Sequence, residues 1–440
     1  MSTDVIVMSD AQQRAVVKRI EETRDELVGL VESLVEQPTH EGNEAAAQEV
    51  VIDELEGIGL EPDVWEPDVS ELEDHPGYFD TKTYEEYGYD GRPNVAATID
   101  GAGDGRSLGF SGHIDVVPVD EERWSYEPWA ATVENGRIYG RGTCDMKGGL
   151  AAGIHAAKVL DELGVELAGD LILESTIDEE AGGTGGALSA LERGYQPDAA
   201  IITEPYGVPN IGVASAGVLY FRVTVPGRAA HAAHAFNGVN AAWKATRIFE
   251  ALRELESERK QRISFQPAVN ERPAAEGSVT NLNVGIFDSG DWPSTVPSEA
   301  TMECRLGWPP GESREEVRTE IEETIQDVVD QDEWLSENPP ELEWFGWRAE
   351  AHEVDRDAEI TQLVSDNAES VIGEDGTWVG GLAGLDERFY VNYYDIPCPS
   401  VGPRGENIHG ADEYVEIDSL VETAQTLALT AIDWCGTERT

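Results

Sequence analysis

Four short apolar runs constrain this chain more than any other feature: SLGF at 107–110, DLILEST at 170–176, AAIIT at 199–203 and CPSV at 398–401. Each is rich in β-formers and lacks a strict polar–apolar alternation, the pattern of a strand buried on both faces of a sheet. Helical stretches separate strands over the first half, so βαβ units and a largely parallel sheet are expected. In open α/β sheets ligand sites collect beyond the carboxyl ends of the strands. Short polar clusters stand there: His113 and Asp115 in SGHIDVVP, Asp145 in GRGTCDMKGG, Glu179 and Glu180 in STIDEEAGG, Glu204 in IITEPYG and His409 in GPRGENIHGADE.

At 440 residues the chain is long for one core, and two domains are expected. Residues 10–36 read as one acidic amphipathic helix and 45–55 as a second, ended by Gly57. The aromatic and acidic stretch 62–92 has no periodicity and reads as a surface excursion. From 216 the order becomes β-α-β-β-α-β, that of a two-layer α+β unit. The expected fold class is therefore α/β: a catalytic domain with a mostly parallel sheet flanked by helices, interrupted by an inserted α+β domain. Its parts are 1–215, the insert 216–348, and 349–440, where a helix from Glu359 and a strand at Cys398–Val401 resume the α/β pattern.

The 88 acidic residues outnumber the 30 basic ones, for a net charge of −58. That balance excludes a nucleic-acid partner held by basic patches and argues against anionic membranes. Because the acids run along the whole length, the chain is expected in a cytoplasm of multimolar salt, where a Debye length of ~3 Å at 1 M screens self-repulsion. MSTDVIVMSDAQQ has neither the basic region nor the apolar core of a signal peptide, and no run approaches a membrane span. Cys144, Cys304, Cys398 and Cys435 are isolated, hence expected reduced, buried and cytosolic.

His113 and Asp115 are one residue apart in extended chain, so both side chains point one way and the carboxylate can hold the imidazole's tautomer. A hydrogen-bonded core histidine beside an edge aspartate is the plain alternative. Asp145 enters an Ala-rich helix and would serve as an ordinary N-cap. Glu179 and Glu180 cannot both face one metal in extended chain, so one can bind metal while the other reaches a water. In so acidic a chain neighbouring glutamates are common, and His409 alone could be a solvated loop histidine. His40, His75 and His352 read as surface and His155 as part of a packed helix. No HExxH helix, phosphate-binding loop or GxSxG elbow is present. The five clusters together point to a metal-dependent hydrolase.

In this order, with PTHEGNE near the start and WSYEPW before YGRGTCDMKGG, these residues resemble the binuclear metallohydrolases of the aminoacylase, acetylornithine deacetylase, succinyl-diaminopimelate desuccinylase and glutamate carboxypeptidase family. The resemblance implies His113 and Glu204 on one divalent metal, Glu180 and His409 on a second, and Asp145 bridging them, with a cis peptide to Met146. It implies Asp115 as the residue orienting His113 and Glu179 as general base. His231, in GRAAHAAHAFNGVNAA, matches the histidine such enzymes lend across a homodimer, formed through the inserted domain, to the substrate oxyanion. Two zinc ions are expected, and cobalt or manganese suits the same donors.

The chain departs from the family at two positions. Where many relatives place Asn before a Val-Pro and Arg before a Pro-Gly to grip a substrate carboxylate, it has Ser294 and Gly307, with Arg305 two residues away. The leading expectation is a cytosolic deacylase of N-acyl amino acids, of the acetylornithine type. The alternatives are a deformylase or deacylase of an N-acyl amine without a carboxylate, a dipeptidase, or a catalytically inactive ligand-binding relative. If a carboxylate is bound, another arginine such as Arg388 would hold it.

Overall fold

The computed structural model describes residues 10–437; most of the segment read as lacking a signal peptide, residues 1–9, lies outside the described residues. Two helices, α1 (Asp10–Glu22) and α2 (Arg24–Val35), replace the single helix expected over 10–36. The break is at Thr23 (φ −106°, ψ 17°), whose hydroxyl donates to the Arg19 carbonyl at 2.9 Å. Such side-chain bonds to the preceding turn compete with helix continuation. The apolar stripe survives the break, with Ile20, Leu27, Val31 and Leu34 fully buried.

The same hydroxyl lies 2.9 Å from Nε2 of His155. Its one proton goes to Arg19, so the imidazole must donate here from Nε2. Burial, with Lys158 nearby, pulls the His155 pKa down to about 4. The unfolded chain accepts a proton near 6.5 that the folded chain refuses. This stability is therefore complete above about pH 6.5 and lost as pH falls towards 4, about 3 kcal/mol in all. His155→Gln keeps an N–H donor without titrating, so its urea midpoint is expected to change less between about pH 6.5 and 4.5 than the wild type's. Equal slopes would refute this.

After α3 (Ala45–Gly57), the stretch 62–92 is not a surface excursion. It supplies an edge strand, β1 (Asp63–Trp65), and buries Trp65, Leu72, Phe79, Tyr89 and Arg92. Aperiodic apolar residues spaced by turns pack one at a time, which periodicity does not register. β2 (Asn94–Ile99) and β3 (Leu108–His113) follow, then α4 (Lys147–Glu162), β4 (Leu171–Thr176), α5 (Ala187–Arg193) and β5 (Ala199–Ile202). The sheet order is β1-β2-β4-β3-β5. β4-β3-β5 are parallel and buried, and β2 and β1 close one side antiparallel. Gly149 lets α4 approach the end of β5, since a Cβ there would meet the Thr203 carbonyl at 2.1 Å.

The chain divides into two compact units, one running to Val213 and including Glu353–Val379 and everything from Leu385, the other Ala214–His352 with Gly380–Gly384. The second holds β6 (Gly217–Pro226), α6 (Ala241–Arg262), β7 (Asn281–Ser289), β8 (Glu299–Trp308), α7 (Arg314–Asp330) and β9 (Glu341–Ala349). Its antiparallel sheet has order β7-β8-β6-β9. Strict alternation buries Leu219, Phe221, Val223 and Val225 of β6 with Met302, Cys304 and Leu306 of β8, against Ile248 and Leu252 of α6 and Val317 and Ile321 of α7. A reciprocal Ser313–Glu316 capping box starts α7. His352, read as surface, is buried here with Nδ1 2.9 Å from the Ser215 hydroxyl.

In the first unit the chain resumes with α8 (Glu359–Ile372) and ends in α9 (Ile417–Cys435), which packs on α4 and α8. The strand expected at Cys398–Val401 reduces to bridges at Ser400, parallel to Ile202 and antiparallel to Gly212. All four cysteines are buried, and none forms a disulfide among the described residues. No helix among the described residues is long and apolar enough to cross a membrane.

Candidate metal centre

His113 ends β3, Glu179 and Glu180 follow β4 on a short 3-10 turn, Glu204 follows β5, and Asp145 precedes α4. The sheet thus delivers three of the five clusters to one end, and the loops carrying Asp145 and His409 (φ 61°) join them. The two oxygens of Asp145 face different imidazoles: Oδ1 is 3.2 Å from His113 Nε2 and Oδ2 is 3.3 Å from His409 Nε2. His113 Nε2 is also 3.8 Å from Glu204 and 3.9 Å from Glu179, while His409 Nε2 is 3.0 Å from Glu180. Two groups of donor atoms, His113–Glu179–Glu204 and His113–Asp145–Glu180, each lie within 4.8 Å of one another. The Asp145–Met146 peptide is cis.

Burial raises the carboxyls of Glu179 and Glu204 well above the ordinary range and moves Glu180 the same way. Hydrogen bonds to Asp145 and Glu180 push His409 up to about 10. His113 is raised too, because Asp115 and Asp145 outweigh its burial. Three carboxyls raised by burial and two raised imidazoles surround Asp145, which those imidazoles hold below its ordinary range against burial. Such a donor set is matched to divalent cations, which displace the protons. Glu179 Oε1 is buried without a hydrogen-bond partner.

The surrounding residues show what the sequence did not. His113 Nδ1 lies 2.9 Å from the main-chain carbonyl of Asp115 and 3.6 Å from its carboxylate, so the carbonyl is the closer acceptor for the Nδ1–H tautomer. The Asp115 carboxylate instead accepts the amide N–H groups of Glu179 (3.2 Å) and Glu180 (3.1 Å). Asp178, in the left-handed region at φ 71°, begins that turn. It accepts from Thr81 and Tyr89 at 3.0 Å and lies 3.7 Å from Arg92, itself paired with Glu44 at 2.8 Å. Glu413 accepts from the loop carrying Asp145. One aspartate or glutamate among 88 acids carries no sequence signal; only HGADE, next to His409, pointed near Glu413.

Arg388 does not offer itself to a substrate carboxylate. It is buried and donates to the carbonyls of Leu385 (2.7 Å) and Gly182, bracing the turn beyond Glu180. His231 and Ser294 belong to the second unit. His231 is exposed, accepts from the Ala233 N–H at 3.1 Å and lies 5.9 Å from the His234 ring. Gly307 is in β8, and Nη1 of Arg305 reaches to 3.0 Å of the point where a side chain at 307 would begin.

Residues 109–433 match peptidase family M20/M25/M40. The chain belongs to that family. The M20 chain is a metal-dependent hydrolase of amide bonds. It is 30% identical to N-formyl-4-amino-5-aminomethyl-2-methylpyrimidine deformylase of Halalkalibacterium halodurans, over 94% of this chain and 96% of that one. Identity to the protein of the same name from Bacillus subtilis is 28%, over 98% and 99%. Among solved structures, an M20 metallo-carboxypeptidase from Sulfolobus solfataricus has a TM-score of 0.71 at 20% identity, covering 92% of this chain and 99% of its own. The relatives' names favour a deformylase over the leading expectation of an acetylornithine-type deacetylase.

Proposed function

We propose that this M20 hydrolase removes a formyl or small acyl group from an amine that lacks a carboxylate, of the N-formylated aminomethylpyrimidine type. The observation that carries the hydrolytic reading is the split of Asp145 between two imidazoles, beside a buried carboxylate oxygen of Glu179 with no partner. The near-full-length similarity to two deformylases supports the substrate class. Ser294 and Gly307, at the positions where the family resemblance implies a carboxylate-gripping Asn and Arg, also support it.

In this reading His113 and Glu204 would hold one divalent ion and Glu180 and His409 a second, with Asp145 within reach of both imidazoles. Zinc is the first choice, and cobalt or manganese suits the same donors. Such ions bring the pKa of a water towards ~7 and polarise the amide carbonyl. Glu179 takes a proton from the attacking water and returns it to the leaving nitrogen as the C–N bond breaks, releasing formate and the free amine. Asp115 sets the Glu179–Glu180 turn and the His113 ring. We assign His231 to the oxyanion of the tetrahedral species, in the homodimeric form.

One observation favours a second reading. Arg305 places its guanidinium over Gly307 and could there bind a carboxylate. A substrate panel in about 2 M KCl, the salt chosen for screening, separates the two. N-formylated aminomethylpyrimidine is expected to be turned over with kcat/KM at least ~10²-fold above N-acetylornithine and dipeptides, a gap of about 2.7 kcal/mol. Preference for N-acyl amino acids, lost in Arg305→Ala, would reverse the assignment.

A further inference from the structure

The loop that carries Asp145 is wrapped around a single buried carboxylate. Glu413 is fully buried, and its Oε1 accepts the N–H groups of Cys144 (3.0 Å) and Asp145 (3.1 Å). Its Oε2 accepts the N–H of Gly142 (3.0 Å) and Nη1 of Arg141 (2.5 Å). The main-chain carbonyl of Glu413 takes the Gly140 N–H at 2.9 Å. The concave turn needs Gly142 in the left-handed region (φ 80°), where a Cβ would stand 2.5 Å from Val116. Four donors converge on two oxygens, an arrangement only an ionised carboxylate satisfies.

Glu413 also belongs to the other half of the site. It lies four residues beyond His409, and Arg141 links back by donating from Nη2 to the Gly410 carbonyl at 3.1 Å. The Glu413–Arg141 pair therefore ties the turn holding Asp145 to the turn holding His409. His409 itself is half exposed and left-handed at φ 61°, and its ring is held through Asp145 and Glu180, so the placing of the Asp145 turn bears directly on it. We propose that Glu413 is a positioning residue, acting through Arg141 and the 142–145 amides to set Asp145 against His409 so that both can hold the same divalent ion. This rests on the metal assignment above.

The test uses apo protein and Co²⁺ as probe, read by calorimetric titration and visible absorption. Glu413→Gln keeps the volume but turns an NH₂ towards N–H donors. It is expected to weaken Co²⁺ binding by ~10-fold or more, alter the d–d spectrum and lower kcat, with KM changed less than about threefold. Arg141→Lys keeps the charge but loses the fork to Gly410, and is expected to weaken binding in the same sense. Leu27→Ala, a cavity in the remote N-terminal core, gives a comparably lowered Tm and should bind Co²⁺ as the wild type does. Wild-type affinity and spectrum in folded Glu413→Gln, or in Arg141→Lys if the first variant does not fold, would overturn the proposal. An equal loss of Co²⁺ affinity in Leu27→Ala would do so as well, since the effect would then be general destabilisation. A wild-type chain that binds no Co²⁺ would overturn the metal assignment, and this inference with it.

Discussion

Glu179→Ala is expected to lower kcat by ~10²–10⁴-fold, the usual contribution of a positioned proton acceptor, while divalent-metal binding persists. The variant removes a carboxylate whose Oε1 has no hydrogen-bond partner among the described residues and whose other oxygen is 3.9 Å from His113. His113, Asp145, Glu180, Glu204 and His409 keep their mutual contacts without it. Nor should the fold suffer. Burial already holds the Glu179 carboxyl above its ordinary range, so its ionised form opposes folding at neutral pH, and the metal-free variant should melt no lower than the wild type. Co²⁺ titration beside steady-state kinetics checks both halves. Turnover within about threefold of wild type would remove Glu179 from the reaction.

Stripping metal with a chelator is expected to abolish turnover and lower Tm, with Co²⁺ or Zn²⁺ restoring both. An ion that binds only the folded chain stabilises it by about 4 kcal/mol at a thousand times its Kd. The pH dependence has a definite sign. Glu179 and Glu204 bind protons more tightly folded than unfolded, so the penalty of ionising them grows as pH rises above the ordinary carboxylate range. His409, raised to about 10, contributes stability that is complete below about 6.5 and fades as pH climbs to 10. Both make the stripped protein less stable at higher pH, so the Tm gap between stripped and loaded forms should widen from about pH 5 to 9. A gap that narrows, or turnover that survives chelation, would contradict the metal assignment.

How much of this was legible in the sequence follows from the range of the interactions involved. Strands β3, β4 and β5 announced themselves as apolar runs because burial on both faces removes alternation, and the residues after them are delivered to one end of the sheet by topology alone. His113, Glu180 and Glu204 follow these strands, whereas Asp145 and His409 stand on loops and joined the set through the motifs GRGTCDMKGG and GPRGENIHGADE. The alternating strands of the second unit were equally plain, since one covered face imposes a period of two.

What tertiary structure alone decided concerns groups whose partners are distant in the chain. Thr23, whose hydroxyl bonds the preceding turn where the helix breaks, also lies against His155, more than a hundred residues on. Stretch 62–92 joins the core because Thr81 and Tyr89 reach Asp178, about a hundred residues on. Arg388 turns inward to Gly182, some two hundred residues back, and so is lost as a carboxylate ligand. Asp115 bonds the amides of Glu179 and Glu180, and Glu413 bonds those of Gly142, Cys144 and Asp145. Among 88 acidic residues, local sequence cannot separate a carboxylate that solvates the surface from one that collects buried N–H groups. That distinction is made only when the chain closes around it and removes the water that would otherwise compete.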